Sequence, residues 1–322
     1  MSKQSLLALG IPTYKRPDAA IKVIEQALEL NIFDQIIISS NSQEEKIKNF
    51  VEKKETSVIT FFEQNENVGI SRNYKMLIDL CNCKYLHVIS DEDYLIKERL
   101  KELYSFLEKR NGYSLIVMSV NDSDGQIYKD ASWQRNKYLY DALGETAHIG
   151  STVINTKIWT NQAHDFMIDY CSRSKGDVYP TTAAALISYS IDTSLYYFPH
   201  AIVQMGEKDD FSEMRGKRVY ATNPKLEQFI SVLMLVRQLQ IPRKIMVYMY
   251  IFYYFSHHAL QQAHKRFDEK PLPVIKSFIK ENQSGLKDQI SLYLLVIWYY
   301  YFLNYYHVKS KLGSKLREYN LR

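Results

Sequence analysis

Short apolar runs alternate with amphipathic stretches through the first 110 residues of the chain. Residues 6–11 are typical of a buried strand, and after Pro17 apolar residues recur at the i, i+3, i+4, i+7 spacing of a helix face. The same alternation predicts strands at 35–39, 58–62 and 85–89, and helices at 43–54, 71–81 and around 100–107. Strands joined through single helices form right-handed βαβ units. The sequence therefore predicts an α/β fold with a mainly parallel sheet flanked by helices, and ligands at the carboxyl ends of the strands.

Three consecutive acidic residues follow the fourth predicted strand. Asp91, Glu92 and Asp93 come after the apolar run 85–89, at an end of the sheet where ligands are expected. Carboxylates crowded at the end of a buried strand repel one another and resist burial, so a positive charge is needed to hold them there. A divalent cation is the simplest such charge, and it suggests a phosphate-bearing substrate.

Charge is distributed unevenly along the 322 residues. Residues 1–215 carry 24 Lys and Arg against 30 Asp and Glu, whereas residues 216–322 carry 17 against 6, a net charge of +11. Such a basic region favours nucleic acid or an anionic membrane surface as its partner. Its aromatic residues occur in apolar blocks and are not interleaved with Lys and Arg, so we expect no nucleic-acid binding.

The pattern becomes purely helical beyond residue 221, which predicts a boundary between an α/β domain, 1–221, and a helical, basic, tyrosine-rich domain, 222–322. Tyrosine-rich segments lie at 245–255 and 290–308, and the second has 19 residues without a formal charge. It is long enough to span a bilayer, but its many phenol groups would lack partners in hydrocarbon. We expect these helices to pack together or against a second subunit, with aromatic edges at the headgroup level. A buried helical core without membrane contact is the alternative.

Four segments together resemble a known family. They are 10–17 (Gly-Ile-Pro-Thr-Tyr-Lys-Arg-Pro), the strand ending in Ser39, Ser40 and Asn41, the loop 67–73 (Asn-Val-Gly-Ile-Ser-Arg-Asn), and the acidic triplet. In this order and spacing, the chain resembles the nucleotide-diphospho-sugar glycosyltransferases of the GT-A fold, in particular the inverting enzymes of family 2. The resemblance covers roughly residues 5–120 and continues weakly to about 220.

The resemblance implies a donor site. The segment with Pro12, Thr13, Tyr14 and Arg16 is expected on the nucleotide side, with the Tyr14 ring packed on a uracil base. The family commonly has aspartates after the second strand, where this chain has Ser39, Ser40 and Asn41. Asn41 both donates and accepts hydrogen bonds, so it is the expected base contact.

The remaining donor-site residues are expected at the diphosphate. Gly69 permits close backbone approach, and the guanidinium of Arg72 fits phosphate oxygens; pairing of Arg72 with the acidic triplet is the alternative. The resemblance implies that Asp91 and Glu92 contact the nucleotide sugar, and that Asp91 and Asp93 hold Mn²⁺ or Mg²⁺. Which carboxylate takes which role stays open.

Inversion requires one carboxylate base. Asp177, ahead of the apolar stretch 183–189, best matches the family position of this base. Four competing aspartates lie in predicted turns: Asp122, Asp124, Asp209 and Asp210.

The expected reaction is metal-dependent transfer of a hexose from a nucleotide-diphospho-sugar, a UDP-sugar by resemblance, to a glycan or lipid-linked acceptor in bacterial surface polysaccharide synthesis. A non-catalytic nucleotide-sugar-binding scaffold and a sugar nucleotidyltransferase are the alternatives. The latter should have a glycine-rich phosphate loop after the first strand, which 10–14 lacks.

Cysteine content and the N-terminal pattern bear on location. Cys81, Cys83 and Cys171 have no disulfide or zinc-site spacing, and the N-terminal residues lack the pattern of a secretory signal. We therefore expect a cytoplasmic protein at the inner face of the cell membrane, with a homodimer through the C-terminal helices as an open alternative.

Overall fold

The computed structural model describes residues 5–122, 139, 146, 148–173, 179–206, 222–255, 271–281, 290–295 and 297. The chain forms two compact units. The first comprises Met1–Asp209 with Leu235–Lys244, and the second comprises Asp210–Met234 with Ile245–Arg322.

Strands and helices alternate through the first part of unit 1, as the sequence predicts. The strands are β1 (Leu7–Thr13), β2 (Gln35–Ser40), β3 (Ile59–Glu63), β4 (Tyr85–Val88), β5 (Tyr94–Leu95) and β6 (Leu115–Val117), and the helices are α1 (Pro17–Leu30), α2 (Glu45–Lys54), α3 (Ile70–Asp79) and α4 (Lys97–Lys109). Every residue of β1 and β2 is buried, which explains why their sequences are apolar without alternation. These two strands form the centre of the core.

Among the described residues, the main sheet has seven strands in the order β3-β2-β1-β4-β7-β6-β8. Its later members are β7 (Thr152–Asn155) and β8 (Leu195–Tyr197). Neighbours from β3 to β4 are parallel, whereas β7 is antiparallel to both β4 and β6. The mainly parallel sheet flanked by helices is confirmed. Its carboxyl-end edge carries the residues that follow β1, β2 and β4.

Helix α3 ends two residues earlier than the predicted 71–81. The side chain of buried Gln35 donates to the carbonyl oxygen of Leu80 at 3.0 Å and accepts from the amide of Asn82 at 2.8 Å. These bonds turn the chain out of the helix before Cys81. At the other end, Asn73 and Ser39 exchange two hydrogen bonds, of 2.6 and 3.0 Å, which fix α3 against the end of β2.

The rest of unit 1 contains α5 (Asn161–Arg173), α6 (Pro180–Ile191) and a small second sheet. In that sheet β9 (Val203–Gln204) pairs antiparallel with β5. Because β5 follows the acidic triplet directly, this pairing brings the 203–206 segment next to the triplet. Ten consecutive residues of α6, from Pro180 to Tyr189, are buried.

The described residues beyond 221 are helical, with α7 at Thr222–Gln238, α8 at Lys244–Tyr254, α9 at Pro271–Glu281 and further helical residues at 290–295 and 297. In unit 2, Phe229 packs edge-on against Phe252 and Phe255 at centroid distances of 5.1 and 5.4 Å. Within the described parts of the chain, no helix combines the length and apolar character needed to cross a bilayer.

Candidate functional site

The carboxyl ends of β1 and β4 meet at Asp91. These strands are adjacent and parallel, so Thr13 at the end of β1 lies beside the residues that follow β4. The Thr13 hydroxyl donates to Asp91 Oδ2 at 2.7 Å, and the Arg16 guanidinium forms an ion pair with Asp91 Oδ1. Asp91 is only 1% exposed, so both of its oxygens are held in place by the protein itself.

Arg16 also pairs with the second acidic residue. Its Nη1 contacts Glu92 Oε2, while its Nη2 contacts Asp91. The guanidinium therefore bridges two of the three carboxylates, and it supplies part of the positive charge that their crowding requires. The sequence predicted that Arg16 lies on the nucleotide side of the site, whereas in the structure its guanidinium contacts the acidic triplet.

Asp93 lies in a different environment. It is 4% exposed, and its Oδ1 accepts from the Gly206 amide at 3.1 Å, whereas its buried Oδ2 has no hydrogen-bond partner among the residues that the structure describes. Burial, and then the negative charges of Glu92 and Asp91, raise the pKa of Asp93 from 3.8 to about 7, against the opposing effects of the Gly206 amide and Arg16. The site thus presents one buried carboxylate oxygen whose negative charge is poorly compensated.

Gly206 lies against the backbone of the acidic triplet. A Cβ atom at this position would be 1.8 Å from the carbonyl oxygen of Glu92 and 2.9 Å from its carbonyl carbon. Asn121 holds the same segment from its other side, because its amide donates to Val203 and its carbonyl accepts from Met205 at 2.8 Å. The segment 203–206 is therefore held by hydrogen bonds to Asn121 and to Asp93. Only glycine fits at position 206, where the segment contacts Glu92.

These residues fit a hard divalent cation. The described residues contain no group of three or more His, Cys, Asp or Glu side chains arranged as a metal cage. Mg²⁺ and related ions in phosphate-transfer sites use one or two carboxylates and take their other ligands from water and phosphate. The unpartnered Oδ2 of Asp93 meets that requirement, whereas the Asp91 oxygens already have protein partners.

Asn41 organises the loop on the other side of the site. Its Nδ2 donates to Asn67 Oδ1 at 2.7 Å, and its Oδ1 accepts from the Val68 amide at 2.9 Å. Asn67 Oδ1 also accepts from the Gly69 amide at 3.0 Å, and Gly69 has a φ of +84° that favours glycine. The side chain expected to read the base is therefore occupied in shaping the loop before α3.

Tyr14 and Arg72 have accessible side chains, whereas Pro12 is buried within β1. Tyr14 is half-buried, and the Lys15 ammonium lies 5.3 Å from the centroid of its ring. Arg72, in the first turn of α3, is exposed and has no ion-pair partner within the described residues. The alternative in which Arg72 pairs with the acidic triplet is not seen, since Arg16 occupies that position.

The predicted base, Asp177, lies outside the described residues, as do Asp124, Asp209 and Asp210. Asp122 is described; it is half-buried and follows Asn121. Tyr179, two residues after Asp177, has a φ of +105°, which is unusual for a residue with a side chain. Helix α6 begins at the next residue. Strained backbone of this kind is concentrated at functional sites.

Comparisons with known proteins agree with this fold. The family model described as glycosyl transferase family 2 matches residues 9–169, half of the chain. S. aureus TarS residues 1–349 in complex with UDP-GlcNAc is similar in structure, with a TM-score of 0.63 and 10% identity over 85% of this chain and 79% of that chain. The mannosyltransferase PcManGT from Pyrobaculum calidifontis, in complex with GDP-Man and Mn²⁺, has a TM-score of 0.52 and 10% identity over 92% of this chain and 88% of that chain. No curated protein sequence matches significantly.

The sheet topology and the similar solved structures show a GT-A-type fold, and the family match defines the class of protein as a glycosyltransferase. The chain belongs to glycosyl transferase family 2. The resemblance drawn from the sequence motifs is thereby confirmed, and so is the prediction of an enzyme.

Proposed function

We propose that the protein is a metal-dependent, inverting glycosyltransferase that moves a hexose from a UDP-sugar to a glycan or lipid-linked acceptor in surface polysaccharide synthesis. The observation that carries this proposal is the buried Oδ2 of Asp93, which has no hydrogen-bond partner within the described part of the chain and lies beside two other carboxylates at the carboxyl edge of the sheet. TarS binds UDP-GlcNAc, and PcManGT binds GDP-Man with Mn²⁺. Those complexes support a nucleotide-sugar donor, and the TarS complex favours UDP.

The donor would lie along the carboxyl edge of the sheet. Tyr14 offers a half-buried ring for the base, and Gly69 allows the diphosphate to approach the backbone at the start of α3, where helix amides favour an anion. Arg72, exposed in the same turn, adds a guanidinium for phosphate oxygens. Asn41 acts indirectly, by holding the loop that presents Gly69.

Asp93 would hold the metal ion, with Asp91 and Glu92 kept in position by Arg16 and Thr13. When bound, Mn²⁺ or Mg²⁺ neutralises negative charge on the leaving diphosphate. Arg72 would stabilise the same charge as the bond to the sugar breaks. Asp177 would remove the proton from the acceptor hydroxyl, and attack from the face opposite the leaving group inverts the anomeric carbon.

The cytoplasmic face of the membrane is the location that fits this acceptor class. A lipid-linked acceptor is held at the bilayer surface, and residues 216–322 carry a net charge of +11 that favours anionic lipid. The nucleotidyltransferase alternative has no comparable support, because residues 10–14 lack a glycine-rich phosphate loop.

Nucleotide-dependent thermal stabilisation tests the donor site. The wild-type protein should show a raised melting temperature with UDP and Mn²⁺ together, and a smaller rise with either alone, because Asp93 and the diphosphate would both supply oxygen ligands to the metal ion. Differential scanning fluorimetry with UDP, GDP, CDP and ADP, each with Mn²⁺ or EDTA, makes the measurement. Equal responses with Mn²⁺ and EDTA would contradict metal dependence, and a larger response to GDP would contradict the UDP assignment.

Asp177→Asn should separate binding from chemistry. Loss of the base should reduce turnover by about 10²- to 10⁴-fold, while the amide leaves the metal-dependent UDP response intact. Transfer or donor hydrolysis is read as UDP release from a panel of UDP-sugars. Asp122→Asn is the comparison variant, because Asp122 is the competing candidate base that the structure describes. If Asp122→Asn loses turnover while Asp177→Asn does not, the base assignment is wrong.

A further inference from the structure

Two helices of unit 2 expose apolar side chains on the face opposite the one they bury. On α8, Ile245, Met246 and Met249 are 71%, 37% and 47% exposed, whereas Val247 and Ile251 are buried. At about 100° per residue, the exposed three fall within one arc of about 100°, and the buried two lie on the other side of the helix. We call Ile245, Met246 and Met249 the α8 face.

The helical residues 290–295 and 297 repeat this arrangement. Four side chains are exposed at the spacing i, i+3, i+4 and i+7, namely Ile290 (51%), Tyr293 (44%), Leu294 (43%) and Ile297 (61%). Leu292 and Leu295 are fully buried on the opposite side. We call the four exposed residues the 290 face. A surface helix of a soluble domain normally has polar residues at these positions, so a stripe of four apolar side chains marks an interaction surface.

The charge around these faces selects the partner. Residues 216–322 contain 17 Lys and Arg against 6 Asp and Glu. On α9, Lys276 and Lys280 are exposed one helical turn apart. Exposed apolar stripes in a strongly basic region suit the headgroup level of a bilayer with anionic lipids, where apolar side chains enter the acyl boundary and Lys and Arg contact the headgroups.

A second copy of this chain fits less well. Isologous contact through either face would bring two regions of net charge +11 together, and like-charge juxtaposition opposes association. Anionic lipid has the complementary sign. Tyr293 also suits the membrane interface, because its ring is apolar and its hydroxyl stays in water.

We propose that unit 2 docks on the surface of an anionic phospholipid bilayer through the α8 face and the 290 face, without spanning it. These residues would make the membrane contact that the proposed function requires. The proposal rests on that function only for its biological setting. Vesicle binding is measured separately from nucleotide binding, so failure of one leaves the other intact.

The test is co-sedimentation of the full chain with vesicles. Wild-type protein should pellet with phosphatidylcholine vesicles containing about 30% phosphatidylglycerol, bind pure phosphatidylcholine at least about tenfold more weakly, and be released as salt rises from about 0.1 to about 0.5 M. The double substitution Leu294→Glu/Ile297→Glu should reduce binding to anionic vesicles by about tenfold or more, because both side chains would leave the acyl boundary. Lys276→Glu/Lys280→Glu should weaken only the salt-sensitive part of binding.

Ile168→Glu is the matched control. Ile168 is 51% exposed on α5 of unit 1, so Ile168→Glu makes one apolar-to-glutamate change outside the proposed surface, and vesicle binding should be unchanged. Because all substituted positions are exposed, every variant should retain the wild-type melting temperature, which confirms folding. Recovery of the wild-type protein in the supernatant with anionic vesicles, or undiminished pelleting of Leu294→Glu/Ile297→Glu, overturns the proposal. A wild-type dimer in light scattering that Leu294→Glu/Ile297→Glu converts to monomer, without vesicle binding, would assign the face to a second copy.

Discussion

Asp93→Asn is expected to stabilise the metal-free protein at pH 8 and to abolish its stabilisation by Mn²⁺ and UDP. The folded-state pKa of Asp93 is raised from 3.8 to about 7, chiefly by burial. Between these values the folded protein keeps a proton that the unfolded chain has lost, so this residue's contribution to stability falls as pH rises through 7. Above pH 7 the folded protein holds a buried charge that asparagine lacks.

The size of the expected gain in stability follows from the same shift in the pKa of Asp93. The asparagine carbonyl can still accept from the Gly206 amide, but its NH₂ group would gain no partner where Oδ2 has none. We expect a net gain of about 1–3 kcal/mol in the free energy of unfolding in EDTA at pH 8, shrinking to near zero at pH 4.5. Urea unfolding across this pH range measures it.

With Mn²⁺ and UDP added, the wild-type protein should become more stable than Asp93→Asn, because the wild-type carboxylate gains a cation and the amide does not. Asp165→Asn is the matched control, since it removes one carboxylate that is exposed to solvent on α5. It should leave both the pH profile and the Mn²⁺ response unchanged. An Asp93→Asn protein that still responds to Mn²⁺ and UDP as the wild type does would remove Asp93 from the metal site.

Gly206→Ala is expected to weaken Mn²⁺-dependent UDP binding strongly, although the residue carries no side chain of its own. The added Cβ would lie 1.8 Å from the Glu92 carbonyl oxygen, a distance that requires movement of one of the two backbone segments. Either movement disturbs the hydrogen bond from the Gly206 amide to Asp93 Oδ1 and the antiparallel pair of β5 and β9. Overpacking of this kind costs about 1–3 kcal/mol, so we expect lower stability and at least about tenfold weaker metal-dependent binding.

Gly112→Ala provides the control, because a Cβ at Gly112 would meet no atom within 4 Å. Both proteins are compared by urea unfolding in EDTA and by titration with UDP at saturating Mn²⁺. If Gly206→Ala binds UDP like Gly112→Ala, the 203–206 segment has no part in positioning Asp93. A loss of stability without loss of UDP affinity would give Gly206 a purely structural role.

The fold was predictable from the sequence because each of its signals is local. The apolar runs of β1 and β2 and the apolar face of α1 follow from residue spacing alone, and single helices between strands require parallel neighbours. The end of α3 was mispredicted because a side chain distant in sequence, Gln35, binds Leu80 and Asn82. Antiparallel insertion of β7 between β4 and β6 likewise depends on a pairing across about 65 residues, as between His87 and Val153.

The sequence by itself determined the class of this protein and the set of residues expected at its proposed donor site, because strand ends and acidic motifs are local features of the chain. Only the tertiary structure decided how the three carboxylates differ. Arg16 and Thr13 engage Asp91, Arg16 also engages Glu92, and Asp93 keeps one buried oxygen that no described residue contacts by a hydrogen bond. Gly206, which no motif marks, became part of the site because β9 pairs with β5 and brings its backbone to Glu92 and Asp93. Burial and compensating charge are set by residues distant in sequence, so they appear only once the chain is folded.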